Sequence, residues 1–302
     1  MIRYGTNPIA WSNDDDRTLG ARTSLEECLR EASRIGFDGI EMGHKMPTDP
    51  QALAAVLAPH HLQLVSGWYS LNLLDRDAES EKGAIAPHLD LLNAMGCEVC
   101  ILAETSNAIH GNTAVPMAGR PTLSESQWPE FAARLNAIAT HITAAGLIPV
   151  YHHHMGTVIQ SGEDVERLLA STYDELKLLF DTGHAFLAGI DVRTFAARHM
   201  SRVRHLHMKN VRPGVMREAL DADWSFLSAV RAGVFTVPGD PEGAIDFRPV
   251  LDAAAECGYE GWLVVEAEQD PDVYDPLTYQ SMGLEALRAT ARAGGLDQGE
   301  QA

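Results

Sequence analysis

The sequence predicts a (β/α)8 TIM barrel, and three observations carry that expectation. Eight short β-rich runs alternate with helical segments across 302 residues, which is the number and spacing of an eight-unit barrel. One pattern also recurs at 24–42, 89–104, 131–153 and 247–268: an amphipathic helix, a glycine or polar turn, then a β-rich run. Within it, "IGFDGIE" (35–41) and "CGYEGWLVVE" (257–266) share the order glycine, aromatic, acid, glycine, strand, glutamate. Finally, the first strand runs into "NPIAWSNDDD". An open doubly wound sheet would normally place a glycine-rich phosphate turn there.

The strand candidates in order are "RYGTNPIA" (3–10), "DGIEM" (38–42), "LQLVSGW" (62–68), "EVCILA" (98–103), "LIPVYH" (147–152), "LKLLFD" (176–181), "VRHLHM" (203–208) and "WLVVEA" (262–267). The helix before the fifth strand has the clearest period: Trp128, Phe131, Ala132, Leu135, Ile138, Ala139 and Ile142 share one face, and Gly146 closes it. Connections 105–127 and 209–245 are long for a compact domain, which points to function. No linker interrupts the pattern, so residues 1–294 read as one domain and 295–302 as a disordered tail.

Composition narrows the function classes. The chain is 45% hydrophobic and 22% charged, with a formal net charge of -19. Such acidity repels phosphate backbones and argues against nucleic acid as a partner. No apolar run is long enough for a membrane span, and the N-terminus lacks a signal-peptide pattern, so the expected compartment is the cytoplasm. Cys97 and Cys100 form a CxxC, but Cys28 and Cys257 are isolated. The pair therefore reads as strand core rather than a zinc site.

Chemistry gathers at the C-terminal ends of the strands, where a TIM barrel carries its active site. Those ends hold Glu41, Trp68, Glu104, His152, His154, Asp181, His207, Glu266 and Glu268, with His184 and Lys209 just beyond. In "VYHHHMG" (150–156), alternation puts His152 and His154 on one face and His153 on the other. His153 reads as structural. Imidazoles and carboxylates from four consecutive strands suit Mn²⁺, Co²⁺, Fe²⁺ or Zn²⁺ better than Ca²⁺. Each motif also has a plainer reading: Asp181 or Thr182 as a helix cap, His205 and His207 as a solvated strand face, Glu41 as a surface ion pair. The repetition over four strands favours a site.

These residues resemble a known family. "GTNPIAWSNDD", "YHHHMGT", "FDTGHAFLAG", "HLHMKNV", "GVFTVPG" and "WLVVEAEQDP" are similar to inosose dehydratase, the 2-keto-myo-inositol dehydratase of inositol catabolism, and to its close relative in rhizopine catabolism. The wider group is the xylose-isomerase-like TIM barrels, which includes ketose epimerases and an endonuclease. That group commonly holds a metal with Glu, Asp, His and Glu from strands five to eight. The resemblance therefore implies His152, Asp181, His207 and Glu266 as ligands, with His152 replacing the usual carboxylate and Glu268, two residues on along the same face, as the alternative ligand to Glu266. It also implies that His154 and His184 contact substrate.

The expected function is a metal-dependent hydro-lyase on a cyclic polyhydroxy ketone, with Mn²⁺ or Co²⁺ foremost and Zn²⁺ or Fe²⁺ as alternatives. The resemblance implies a trihydroxycyclohexanedione product from 2-keto-myo-inositol (scyllo-inosose). The ion would polarise the carbonyl and a neighbouring hydroxyl. Glu268 would take the α-proton, with His154 as rival base, and Lys209 would stabilise the enediolate. A protonated His154 or His184 would deliver a proton to the β-hydroxyl. Asn7, Trp11, Trp68 and Glu104 would orient the ring. A sugar isomerase or epimerase would use the same metal site, and a non-catalytic sugar-binding protein is the reading from another class. The metal, the inosose isomer, the choice between the inositol and rhizopine pathways and any homo-oligomer are left open.

Overall fold

The computed structural model describes residues 1–297. Eleven strands are present among them: β1 (Ile2–Thr6), β2 (Gly39–Ile40), β3 (Gln63–Leu64), β4 (Trp68–Leu71), β5 (Val99–Glu104), β6 (Ile148–His152), β7 (Lys177–Asp181), β8 (Val203–Met208), β9 (Asn210–Val211), β10 (Phe235–Thr236) and β11 (Gly261–Val265). Nine of them form one parallel sheet in the order β3-β2-β1-β11-β8-β7-β6-β5-β4. Its two ends, β3 and β4, are successive pieces of one stave. The stave is interrupted at 65–67, where Val65 N donates to Ile40 O and Ser66 Oγ donates to Val99 O. The sheet thus closes into an eight-stave barrel. The short pair β9 and β10 is antiparallel and stands outside it.

Each predicted strand corresponds to one stave; 203–208 matches β8 at both ends and the others are shifted at one end or both. The first prediction, 3–10, is too long: β1 stops at Thr6 and a 3-10 turn covers Pro8–Ala10. Asn7 makes that turn by accepting Ile9 N–H on Oδ1, and Pro8 sits at its favoured first position. The third, 62–68, is the broken stave. The last, 262–267, ends at Val265, so Glu266 and Glu268 lie beyond the strand. Their alternation with Val264 nevertheless persists.

Alternation positions the site. Val99, Ile101, Val150 and Leu179 form one apolar cluster inside the barrel, and Val65, Trp262 and Val264 form another. The intervening residues Tyr151, Leu178, Phe180, Leu206, Leu263 and Val265 pack outward into the helical shell. Two residues beyond an inward apolar side chain, the next inward position reaches the barrel mouth. Val150 leads to His152, Leu179 to Asp181 and Val264 to Glu266. A register shift between β7 and β8 pairs Leu179 with His205 and Asp181 with His207. Lys209 continues the same inward column.

The helix Trp128–Ala144 buries the predicted face, including Trp128, Phe131, Leu135, Ile138 and Ile142. Gly146 follows it at φ 91°, a left-handed conformation that glycine adopts freely. Cys100 is buried, and Cys97 is half-buried with its thiol on Leu64 O. Within the stretch expected as a tail from 295, two residues make contacts. Tyr4 OH donates to Asp297 at 2.7 Å, and Leu296 N donates to Ala291 O. Residues 298–302 of that tail lie outside the described residues.

Candidate metal centre and active site

His152, Asp181, His207 and Glu266 converge at the barrel mouth. One possible ligand atom from each lies within 4.8 Å of the others, and all four residues are buried. His207 Nδ1 is 2.5 Å from Glu266 Oε2 and 3.4 Å from Asp181 Oδ2, and His152 Nε2 is 3.8 Å from Asp181 Oδ2. Asp181 Oδ2, His207 Nδ1 and Glu266 Oε2 have no hydrogen-bond partner. Buried polar atoms left without partners are costly. Three that face one another form a set of donors suited to a cation.

The histidine tautomers agree. His152 Nδ1 is 2.6 Å from the His153 carbonyl, so it carries the proton and Nε2 keeps its lone pair toward Asp181. Two imidazole nitrogens and two carboxylate oxygens suit Mn²⁺, Co²⁺, Fe²⁺ or Zn²⁺. The residues present therefore fit a divalent ion.

A second cluster flanks the first. Lys209 is fully buried, with Nζ 3.3 Å from Asp181, 3.0 Å from Glu266 and 3.2 Å from Glu268. It also stands 4.6 Å from the Phe235 ring centroid. Despite desolvation, Asp181, Glu266 and Glu268 keep the ammonium charged. Glu268 in turn lies 3.9 Å from both His154 Nε2 and His184 Nε2. The two imidazoles pack at a centroid distance of 3.9 Å. Burial holds His154 and His184 well below the usual histidine range. Burial also raises the Glu268 carboxyl to about 8; Lys209 pulls it down, while Glu266, Asp15 and Asp181 push it up.

Backbone contacts distinguish the two imidazoles. His154 Nδ1 is 2.8 Å from Met155 O, which puts its proton there and a lone pair on Nε2. Met155 N donates to His184 Nδ1 at 3.3 Å, so the His184 proton sits on Nε2. Glu268 is thus flanked by one acceptor and one donor.

A cavity of about 400 Å³ opens above these groups. Asn7, Trp68, Glu41, His152, His154, His207, Glu266 and Glu268 reach its wall. Trp68 meets His152 and His154 edge-on, both at 5.4 Å. His184 and Lys209 stand behind that wall and brace Glu268.

Two expected ring contacts are corrected. Trp11 is 1% exposed and packs in the core, with its indole N–H donating to Glu31 at 2.7 Å. The 3-10 turn rotates it away from the cavity. Glu104 faces outward from β5, because Ile101 fixes the inward parity of that strand. Its carboxylate accepts Leu73 N at 2.7 Å and Ser106 N at 2.8 Å. Glu41, offered as a surface pair, is buried and forms part of the cavity wall. His153 packs against Phe195 as a structural residue.

Sequence reading missed Asp14, Asp15, His44 and His110, which line the mouth. His44 Nδ1 is 2.5 Å from Asp14, and His110 Nε2 is 3.6 Å from Asp15. The acidic run after the first strand was the available signal. Both long connections contribute: 105–127 brings His110 beside His154 at 5.1 Å, and 209–245 packs Phe226 and Phe235 on His184.

Gly183 supplies a test of this packing. A Cβ there would fall 2.5 Å from Lys209 Cγ and 2.6 Å from Cδ. Gly183→Ala is expected to push the lysine stem aside and cost about 1–3 kcal/mol of stability. Activity should fall although no reacting group changes. Thermal melting and steady-state kinetics check both effects; unchanged kcat would mean that Lys209 placement is unimportant.

Comparisons with known proteins agree with this architecture. The family model described as xylose isomerase-like TIM barrel matches residues 29–290. The rhizopine catabolism protein MocC of Rhizobium meliloti is 43% identical over 294 residues, covering 97% of this chain and 90% of that protein. An inosose dehydratase of Geobacillus thermodenitrificans is 40% identical, covering 96% and 97%. Among solved structures, an L-ribulose 3-epimerase has a TM-score of 0.67 at 17% identity, with both chains fully covered. A probable 3-DHS dehydratase from Bacillus anthracis has a TM-score of 0.66 at 15% identity, covering 95% of this chain and 98% of that one. The solved structures share the fold alone, whereas the family match and the near full-length relatives carry descent: the chain belongs to the xylose isomerase-like TIM barrel family.

Proposed function

We propose that the protein is a metal-dependent hydro-lyase that dehydrates an inosose, 2-keto-myo-inositol, to a trihydroxycyclohexanedione in inositol or rhizopine catabolism. Near full-length relatives named inosose dehydratase and rhizopine catabolism protein support the reaction. The observation that carries the chemistry is the donor set of Asp181, His207 and Glu266 beside His152, whose facing atoms make no hydrogen bond, with Lys209 between that set and Glu268. Mn²⁺ or Co²⁺ is the proposed ion.

The bound ion would supply Lewis acidity at a substrate oxygen. His152, Asp181, His207 and Glu266 would hold it. Trp68 and Asn7 line the cavity where the ring would lie and restrict its orientation. Glu268 takes the α-proton and becomes a neutral acid. The Lys209 ammonium beside it offsets negative charge developing on the substrate. The proton then leaves with the β-hydroxyl as water. Giving this delivery to a protonated His154 or His184, as the sequence suggests, conflicts with their burial. Both are held neutral, and a neutral imidazole is a poor acid. In the proposed assignment His184 donates a hydrogen bond from Nε2, and His154 accepts one.

The test is turnover. Purified protein with Mn²⁺ or Co²⁺ and 2-keto-myo-inositol should develop the ultraviolet absorption of the dione, and a chelator should abolish it. Isomerised or epimerised ketose without loss of water would favour the isomerase reading. Ion binding with no turnover at all would favour a binding protein.

A further inference from the structure

Glu41 has a place in the site that its position just after β2 does not announce. The strands β1 and β11 stand between β2 and β8 in the sheet, yet the Glu41 carboxylate reaches β8 across the barrel mouth. Its Oε1 accepts from His205 Nε2 at 2.7 Å and from His207 Nε2 at 3.0 Å. Its Oε2 accepts from Asn7 Nδ2 at 2.6 Å. All three donors come from outside β2, and the carboxylate is 2% exposed.

This arrangement divides the two nitrogens of His207. Nε2 points at an ionised carboxylate, which only accepts hydrogen bonds. Nδ1 faces Asp181 and Glu266 and has no hydrogen bond. Without an ion, and despite burial, Glu41 and Glu266 favour the charged imidazolium; in the neutral form that can ligate a cation the ring carries one proton, and the Glu41 contact places it on Nε2 and leaves the lone pair on Nδ1, aimed into the four-residue cluster. His205 packs beneath, ring centroid 5.2 Å from His207, and supports the same oxygen from below.

We propose that Glu41 is a positioning residue that fixes the tautomer and ring orientation of His207 and thereby sets the affinity of the cluster for a divalent cation. Carboxylates bonded to the outer nitrogen of a ligating histidine act this way in general, and losing one typically weakens metal binding about 10–100-fold. The proposal rests on the metal reading of His152, Asp181, His207 and Glu266. The neighbouring set Glu41, His205 and His207 also contains three groups able to ligate, so the experiment separates positioning from ligation.

Metal-stripped protein is titrated with Co²⁺ alone by calorimetry and by visible absorption. Wild type, Glu41→Gln and Glu41→Ala are compared, with circular dichroism as the check on folding. Each folded protein should bind one Co²⁺. The Kd should rise about 10–100-fold in Glu41→Ala and by less in Glu41→Gln, which keeps the shape and an acceptor oxygen. The absorption bands of bound Co²⁺ should shift in both, because His207 becomes a weaker donor. If Glu41→Ala does not fold, Glu41→Gln decides. Wild-type Kd and bands in the variants would overturn the proposal, as would a drop from two bound ions to one, which makes Glu41 a ligand. A raised KM with unchanged Kd also overturns it, making Glu41 a substrate contact. Wild type that takes up no Co²⁺ would remove the metal reading and this proposal together. Wild type that binds Co²⁺ while Asp181→Asn does not keeps the reading intact whatever Glu41 does.

Discussion

Asp181→Asn and Asp181→Ala are both expected to abolish ion binding and dehydration, and to differ from each other in stability. The Asp181 carboxylate has two separate duties. Oδ1 caps the short helix Thr182–Leu187 by accepting His184 N at 2.8 Å. Oδ2 faces the metal cluster with no hydrogen bond, 3.3 Å from Lys209 and 3.4 Å from His207. Asparagine keeps the capping oxygen and removes the charge, whereas alanine removes both. Loss of a cap costs about 0.5–2 kcal/mol, so Asp181→Ala should melt below Asp181→Asn in the presence of chelator. Neither change strands Lys209, which retains Glu266 and Glu268. The plainer reading of Asp181 as a cap is thus true of one oxygen, and the metal reading concerns the other. Co²⁺ titration and thermal melting separate the two. One ion bound by Asp181→Asn at wild-type affinity would rule out the cluster as the metal site.

Those residues were legible because their placement follows from strand parity. An inward apolar residue at Val150, Leu179 or Val264 fixes the side of the residue two positions on, whatever the rest of the fold does. Eight staves and their order follow from the same periodicity. Glu104 was misplaced for want of that parity: its strand was read to 103 and its end assumed to face the mouth. Trp11 was misplaced because a 3-10 turn, not a strand, carries it. The role of Glu41 needs closure of the barrel, which joins β2 to β8 through space. Asp15 and His110 needed the paths of two loops, and no short-range pattern encodes those. What periodicity sets locally could be read; what depends on loops or on contact across the barrel could not.

Glu268→Gln is expected to keep the ion and to lose exchange of the substrate α-proton, by roughly 10²–10⁴-fold if general base catalysis resides there. The geometry separates this carboxylate from the cluster. Lys209 Nζ lies 3.2 Å from Oε2, and the imidazoles of His154 and His184 stand 3.9 Å away. Glu266, two residues earlier, provides the cluster oxygen. In the absence of an ion, burial and neighbouring carboxylates raise Glu268 to about 8, which leaves it mostly protonated at neutral pH and unable to act as a base. A divalent cation held by Asp181 and Glu266 adds positive charge beside it and favours the carboxylate. Ion binding and formation of the base would therefore be linked, and the metal-free protein would be poorly equipped to strip the α-proton even from a well-placed ring. His154 is the competitor, with a free lone pair on Nε2. His154→Gln should retain most exchange if Glu268 is the base, and should lose it if the imidazole is. Exchange into deuterated solvent by nuclear magnetic resonance, with Co²⁺ content measured on the same samples, decides between them. Wild-type exchange by metal-loaded Glu268→Gln would transfer the role to His154. Loss of the ion from Glu268→Gln would make Glu268 a ligand and leave Glu266 free for the proton.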